Sequence, residues 1–482
     1  MTDEQAHDSR TMSAFDAFLY RGDNDPRTRA MLAVAYVLDH RPDRQHFIDA
    51  FDRASRLIVR MRQKVVAPPV ALFLPSWIVD PDFDLGYHLR FGQLPAPGSL
   101  VELLDAAQAV VTTPLDDSRP LWEAVLLEGM AGGRAGIIIK MSHAVTDGIG
   151  ALELFAALLD KQRVSARGPM PPAPIPQDVT PEELLNRSLA RLPGGALRAT
   201  FHGLRQLAAT AGSLRDLSST LATTAGFAES LGRVLGPHGP SSPLLAGRSL
   251  RRRCAAFEVQ LDDMKRAGKA AGASVNDVYV ACIAAALRRY HEALGEPVDS
   301  LPMAIPVNLR TTDDPAAGNY FGAILMAAPI GAKDAAERLA SIGRAVRNGR
   351  AEPAIGIMSM LAPVLARLPS MALHAIAGST PKPDIQASNI PGPKTPIYIA
   401  GTRILKSYAF GPVPGVAAMF TMQSIAGTCF IGINYDPAAI TRADLFAKCL
   451  TLGFRETLRL GGPRPRVGAV TTGRTADQEM TV

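Results

Sequence analysis

A proline-rich run divides the chain and limits how it can fold. Five of the eight residues 169–176 are prolines. Proline has a fixed φ and no backbone N–H, so such a run does not enter a sheet or the interior of a helix. It is typical of an extended surface connector. Because 482 residues are enough for two or three domains, the run predicts a structured region on each side.

The region before the connector has the pattern of an α/β domain. Apolar runs of strand type occur at 31–38 and 136–139, and their length and composition favour buried strands. Helical patterns at 45–59 and 100–111 lie between them. We therefore predict an N-terminal lobe over residues 1–165.

Residues 166–249 combine the connector with a basic segment. Leucine and alanine recur near helical spacing from Leu204 to Leu235, which predicts one or two amphipathic helices. Ten arginines, no lysine and two acidic residues lie between Arg187 and Arg253, whereas the whole chain carries only +6. The helices either pack their apolar stripe on the protein body or dock on an anionic lipid surface. Nucleic acid is disfavoured, because aromatic residues do not alternate with the arginines.

The third region, residues 250–462, alternates strand and helix patterns again. Strands are predicted at 255–259, 303–307, 323–326, 398–400 and 429–433. Helices are predicted from Leu261, over 276–289 with Ser274 as its N-cap, and over 442–459. Residues 463–482 are polar and rich in glycine, proline and threonine, which predicts a flexible tail. The fold class is therefore α/β with two lobes.

Composition also bears on the cellular compartment. The N-terminal residues 1–10 are polar and lack the pattern of a secretory signal. The uncharged stretch 407–435 is interrupted by glycine and proline, so it predicts strands joined by turns and no membrane span. The four cysteines lack metal-clip spacing, which favours reduced thiols and no structural metal. We expect a cytoplasmic protein.

A histidine follows the strand at 136–141. Ser142 and His143 come directly after it, and Asp147 and Gly148 precede an apolar helical pattern. A histidine at the end of a buried strand is held rigidly, and its pKa suits proton transfer near neutral pH. Gly148 lacks a Cβ where the chain turns into the helix. Taken alone, the pattern favours a core histidine beside a helix-capping aspartate.

Further motifs along the chain favour a catalytic histidine over a core histidine. They lie at 15–19, 114–123, 274–277, 306–310, 318–322, 388–393 and 410–412, followed by Asp436. With these motifs, nearly the whole chain resembles the bacterial wax ester synthase/acyl-CoA:diacylglycerol acyltransferase family. The resemblance implies two lobes like those of chloramphenicol acetyltransferase and the peptide-synthetase condensation domains, each a mixed sheet flanked by helices. It also implies a substrate tunnel between the lobes.

The resemblance implies a reaction and its participants. The family moves a long-chain acyl group from acyl-CoA to diacylglycerol, which makes triacylglycerol, or to a long-chain alcohol, which makes a wax ester. Acyl-CoA is then a co-substrate, and no cofactor or metal is needed. Because the acceptors are lipids, we expect peripheral association with the inner membrane face or lipid droplets.

The family's signature has two histidines, three variable residues, then Asp-Gly. Its second histidine matches His143, the general base, and its aspartate matches Asp147, a structural support that we expect to pair with Arg310. The first histidine is Ser142 here, and Leu245 stands where the family usually has asparagine. These two departures put the rate and the acceptor preference in question, and not the identity of the base.

The oxyanion of the reaction needs a hydrogen-bond donor. Asn276 is one candidate, although it equally fits a residue that begins a helix. Ser388 and Asn389 are the other candidates, and residues 388–392 equally fit a turn fixed by proline and glycine. Ser142 is the alternative nucleophile, but neighbours on a strand face opposite ways, so it should point away from the site. Trp122 is interpreted as a core anchor.

Two other functions stay open at this point. One is a condensation-type acyltransferase that takes its acyl group from a carrier protein. The other is a lipid-binding relative whose site has decayed, which the residues at 142 and 245 suggest.

Overall fold

Two mixed β-sheets organise the chain. The computed structural model describes residues 11–145, 156–164, 168–191, 239–308, 321–352, 355–368 and 382–474. Its strands are β1 (Met31–Leu38), β2 (Gln63–Val66), β3 (Ser76–Val79), β4 (Leu89–Gln93), β5 (Trp122–Met130), β6 (Arg134–Ser142), β7 (Arg253–Gln260), β8 (Ser300–Asn308), β9 (Phe321–Pro329), β10 (Ile385–Ile390), β11 (Tyr398–Ile399), β12 (Thr402–Phe410), β13 (Ala418–Ile425), β14 (Thr428–Tyr435) and β15 (Thr471–Thr472).

Helices cover the sheets. They are α1 (Ala14–Gly22), α2 (Arg44–Leu57), α3 (Leu85–His88), α4 (Leu100–Thr112), α5 (Pro181–Ala190), α6 (Leu261–Ala270), α7 (Val275–Ala293), α8 (Ala335–Arg350), α9 (Ile357–Leu365) and α10 (Ala443–Leu458). Three short 3-10 turns lie at Val59–Arg62, Pro243–Leu245 and Arg459–Gly461. The α/β class predicted from the sequence is confirmed, and most predicted elements begin and end within a few residues of the observed ones.

The first sheet has the order β11-β12-β1-β6-β5-β4. β6 lies in its interior, antiparallel to both β1 and β5. Phe47 and Phe51 of α2, and Leu103 and Leu104 of α4, are completely buried in this lobe. Strands covered on both sides are almost continuously apolar, which is why β1 and β6 are recognisable as buried strands in the sequence.

The second sheet has the order β15-β7-β14-β13-β10-β8-β9. α7 is buried along most of its length and packs on α10. At their contact, a Cβ on Gly453 would lie 2.4 Å from the backbone nitrogen of Ala286, so glycine is needed for the close approach. Ser274 caps α7, as predicted, and forms a capping box with Asp277.

Two strands from the third region belong to the first sheet. β12 pairs with β1 in antiparallel register, with Ala33 opposite Phe410, and β11 extends the edge. β12 also contacts the second sheet, because the Tyr408 hydroxyl donates to Glu258 at 2.6 Å. Residues 250–462 therefore supply strands to both lobes, which the linear pattern alone does not indicate.

The segments between and after the lobes differ in how they are held. The proline-rich connector is extended coil, and Arg56 of α2 donates to the Pro171 carbonyl. The expected amphipathic helices of 204–235 lie outside the described residues. Residues 463–474 differ from the expected flexible tail, since β15 pairs with β7 and Arg474 forms an ion pair with Glu102.

Among the helices of the described residues, no single one is long and apolar enough to cross a bilayer. The pair α6 and α7, which bends by 95° between its members, meets the length and composition criteria only when taken together. The four cysteines are free and buried.

A buried polar cluster joins the chain before β7 to the second lobe. The Ser242 hydroxyl lies 2.7 Å from Nε2 of His291, whose Nδ1 lies 2.8 Å from the Leu287 carbonyl. Because a carbonyl only accepts, Nδ1 carries the proton, and Nε2 accepts from Ser242. Burial lowers the pKa of His291, so the ring is neutral and the contact is structural. The Ser242 backbone N–H donates to Asp384 at 2.8 Å.

Candidate active site

The turn after β6 carries His143 at the end of an interior strand. Met31 of β1 is paired with Ser142, and the next N–H, that of His143, donates to the Ala30 carbonyl at 2.8 Å. The Val145 N–H donates back to the Ser142 carbonyl at 3.1 Å. His143 is half-buried. The backbone of a candidate proton-transfer group is thus fixed at the end of an interior strand, as the sequence predicts.

Ser142 is engaged in structural contacts. Its side chain is completely buried, its hydroxyl donates to Asp23 at 2.5 Å, and its Oγ accepts the Ala144 N–H at 3.1 Å. It shares its strand face with Lys140, whose ammonium donates to the Val110 carbonyl at 2.9 Å. The hydroxyl therefore points to Asp23 and α4, which agrees with the expectation that it is not the nucleophile.

Asp23 is a functional candidate that the sequence does not reveal. Burial raises the pKa of this carboxyl to about 6, against the opposing effects of the Ser142 hydroxyl, the Ala30 N–H and Arg29. Its other oxygen accepts the Ala30 N–H at 2.8 Å. Because 119 residues separate Asp23 from Ser142, no local motif could have indicated this pair.

A small apolar cavity lies on the opposite face of β6. It has a volume of about 10 Å³, room for about one water molecule. Its lining consists of Phe51, Met61, Trp122, Ile139, Met141, Val145 and Leu158. Trp122 is buried, donates its indole N–H to the Met61 carbonyl at 2.7 Å and stacks on His88. This geometry agrees with its interpretation as a core anchor.

A crevice between the lobes lies next to the start of β1 and the end of α4. Its volume is about 50 Å³. The N-terminal lobe contributes Arg29 and Met31, and the C-terminal lobe contributes Arg252, Val413 and Asn434, among others. Two of its lining residues, Arg29 and Met31, flank Ala30, whose carbonyl accepts the His143 N–H. Its lining does not include His143, so the substrate tunnel expected between the lobes stays a prediction.

Asn276 occupies the second position of α7, within the Ser274–Asp277 capping box. It is half-buried. The alternative interpretation, a residue at the start of a helix, therefore describes its position correctly. A role in binding an oxyanion stays a prediction.

Ser388 and Asn389 lie on β10 and not in a turn. Ser388 is opposite Thr421, and Asn389 is opposite Met422. Asn389 shares its face with Ile385 and Ala387, which belong to the core of the second lobe. Ser388 is on the other face of the sheet. On that face, Gln423 of β13 accepts a hydrogen bond from Ser407 of β12. That face is turned towards the N-terminal lobe, so geometry favours Ser388 over Asn389 as a substrate contact.

The remaining candidate residues divide into two groups. Asp147, Gly148 and Arg310 lie outside the described residues, so the pairing of Asp147 with Arg310 stays a prediction. Leu245 is completely buried in the core of the second lobe. Its apolar side chain therefore fits its surroundings where the family usually has asparagine.

In the parts of the chain that the structure describes, no group of three or more His, Cys, Asp or Glu side chains is arranged to hold a metal.

Comparison with protein families gives two matches along the chain. Residues 12–279 match the wax ester synthase/diacylglycerol acyltransferase catalytic domain, and residues 317–457 match the C-terminal domain of the same family. The first match includes the turn at His143, and the second includes β10 and β12.

Relatives and solved structures agree with these matches. A Mycobacterium tuberculosis (strain H37Rv) protein with the provisional name diacylglycerol O-acyltransferase is 43% identical over 461 residues, which cover 95% of this chain and 94% of the relative. The structure of a wax ester synthase/diacylglycerol acyltransferase from Marinobacter aquaeolei VT8 superposes with a TM-score of 0.63 at 21% identity, covering 94% of this chain and 100% of that one. The first condensation domain of the calcium-dependent antibiotic synthetase gives 0.57 at 15% identity, covering 94% and 96%. The two structural likenesses concern the fold.

Proposed function

This chain belongs to the wax ester synthase/diacylglycerol acyltransferase family and is an acyltransferase, and we propose that it uses His143 as the general base of acyl transfer to a lipid hydroxyl. The donor is a long-chain acyl-CoA, and the acceptor is diacylglycerol or a long-chain alcohol. The observation that carries the proposal is the position of His143, whose backbone is held at the end of an interior strand by the Ala30 carbonyl.

The proposed mechanism uses His143 as the base and Ser388 as the oxyanion donor. The neutral imidazole of His143 takes the proton of the acceptor hydroxyl as its oxygen attacks the thioester carbonyl. The C–S bond then breaks, and the imidazolium returns the proton to the departing thiolate, which leaves as free coenzyme A. Ser142 forms no acyl-enzyme, because its side chain is completely buried, with the hydroxyl donating to Asp23. We assign the oxyanion donor to Ser388, which lies on the face of β10 turned towards the N-terminal lobe.

An acyl-transfer assay with separated donors and acceptors tests this function. Purified protein is supplied with a long-chain acyl-CoA and with diacylglycerol, a fatty alcohol or no acceptor, and both thiol release and the acylated lipid are measured. We expect thiol release to depend on the acceptor and to match ester formation. Transfer from an acyl carrier protein with none from acyl-CoA would identify a condensation-type enzyme. No transfer from either donor would contradict the proposed function and favour the lipid-binding alternative.

We further propose that the protein works at an anionic lipid surface, because its acceptors do not dissolve in water. Residues 187–253 carry ten arginines and two acidic residues, a charge that suits such a surface. Sedimentation with vesicles containing anionic lipid should be strong at about 0.1 M salt and largely lost at about 1 M, where charges are screened within about 3 Å. Equal binding to neutral vesicles, or binding that salt does not change, would contradict an electrostatic attachment.

A further inference from the structure

One carboxylate, that of Asp23, holds the turn at His143 from two directions. One of its oxygens accepts the Ala30 N–H at 2.8 Å, and the Ala30 carbonyl in turn accepts the His143 N–H at 2.8 Å. Its other oxygen accepts the Ser142 hydroxyl at 2.5 Å, and Ser142 Oγ accepts the Ala144 N–H at 3.1 Å. The residues on both sides of His143 and the His143 backbone itself are therefore connected to the same side chain.

Asp23 is itself fixed in position. It caps the end of α1, where its N–H donates to the carbonyls of Leu19 at 3.1 Å and Tyr20 at 3.2 Å. Its own carbonyl accepts Nε of Arg29 at 3.0 Å. A carboxylate on a capped helix end with a paired backbone is a rigid point of attachment for the turn.

The ionised carboxylate is the form that this network needs. Both oxygens accept, one from an amide and one from a hydroxyl. A carboxamide of the same shape still accepts from Ala30, but it presents an NH₂ group to Ser142, which then loses its acceptor. Burial acts against the charge and raises the pKa of Asp23 to about 6, while the two donors and Arg29 act in its favour.

We propose that Asp23 is the positioning residue of this acyltransferase, and that it sets the place of the His143 imidazole through Ser142 and Ala30. This inference rests on the proposed role of His143 as the base. Asp23 does not touch the reacting atoms. It acts by holding the base at the distance and angle at which a proton moves between the acceptor hydroxyl and the imidazole.

The effect of loosening the turn should fall on the chemical step. A displacement of a catalytic group by about 1 Å can cost about 100-fold in rate. Substrate binding should change little, because neither Asp23 nor Ser142 lines the crevice between the lobes. A lower kcat with a nearly unchanged KM for acyl-CoA is therefore the signature of lost positioning, whereas a purely structural role would lower the folded fraction.

The experiment uses the full chain and three variants: Asp23→Asn, Ser142→Ala and the double variant that combines them. Their control is Asp25→Asn. Asp25 lies in the same loop and accepts the Arg27 N–H on the exposed side, so its variant is a matched control. We expect both single changes to lower kcat by about 10- to 100-fold, with KM for acyl-CoA within about 3-fold of the wild type. The double variant should be little worse than either single one, because both break the same link.

The possible outcomes separate this inference from the proposed function. Folded fraction and melting temperature are measured by circular dichroism for every variant. If Asp23→Asn fails to fold, Ser142→Ala still decides, because it removes only the hydroxyl. Wild-type kcat in folded Asp23→Asn or in Ser142→Ala, or additive losses in the double variant, overturns the positioning role. Unchanged activity in His143→Ala instead overturns the base assignment, whatever the Asp23 variants do.

Discussion

Replacing His143 by alanine is expected to lower kcat for acyl transfer by about 100- to 10,000-fold, the usual contribution of a positioned general base. Among the described residues of the turn, 142–145, the other polar side chain is that of Ser142, and its hydroxyl is buried against Asp23. The loss should appear with diacylglycerol and with a fatty alcohol alike, since proton removal is common to both reactions. The measurement is steady-state release of coenzyme A, corrected for hydrolysis without an acceptor.

The control for this change is His40→Ala. His40 has a side chain that is 52% exposed and pairs with Asp39 at 2.7 Å, on the first lobe but outside the turn. Its variant should keep wild-type kcat and KM. The His143→Ala protein should melt near the wild-type temperature, because the removed ring is only half-buried and the backbone hydrogen bond of residue 143 is retained. Residual activity within about 3-fold of the wild type would remove His143 from the mechanism.

Replacing Glu456 by glutamine is expected to lower the free energy of unfolding by about 1.5–3 kcal/mol, less than the cost of removing one partner from a fully buried ion pair, because its side chain is 17% exposed. Glu456 of α10 accepts from Arg338 of α8, which is completely buried. It also accepts from Arg288 at 3.2 Å and from Arg289 at 2.8 Å, both on α7. The neutral amide would leave these guanidinium groups without their shared carboxylate and loosen the contact of three helices.

Urea unfolding at neutral pH measures this loss, and Glu292→Gln is its control. Glu292 pairs with Arg288 but is 37% exposed, so its loss should cost less than about 0.5 kcal/mol. A change in Glu456→Gln no larger than that of the control would show that the cluster contributes little. Activity is not expected to distinguish the two variants once the protein is folded, because the cluster contains none of the candidate site residues.

Acid should weaken the same cluster in the wild type. Burial opposes ionisation of Glu456, but Arg338 and Arg289 outweigh it, so the pKa of this carboxyl is lower than its ordinary value. A lowered folded-state pKa gives stability that is present above the unfolded pKa and is lost as the pH falls through the folded pKa. The stability difference between the wild type and Glu456→Gln should therefore shrink in acid.

Periodicity and composition were enough to predict most elements of the fold. The continuous apolar run at 31–38 is β1, and the helix over 276–289 with its Ser274 cap is the central part of α7. Both elements can be predicted from the local sequence, because a buried strand or helix leaves its apolar pattern in consecutive residues. The placement of β12 in the first sheet is not local. A strand's partner is chosen by packing, and nothing in residues 402–410 indicates whether β1 or β13 lies beside them.

For the site, the sequence alone determined that a histidine follows an interior strand and that its neighbours resemble those of an acyltransferase family. Only the tertiary structure decided what surrounds that histidine. It placed Asp23 beside Ser142 and Ala30, turned Ser388 towards the N-terminal lobe and buried Leu245 in an apolar core. The physical reason is that hydrophobic periodicity is a pattern of neighbouring residues. A buried hydrogen bond, in contrast, needs two groups that meet only when distant elements pack together.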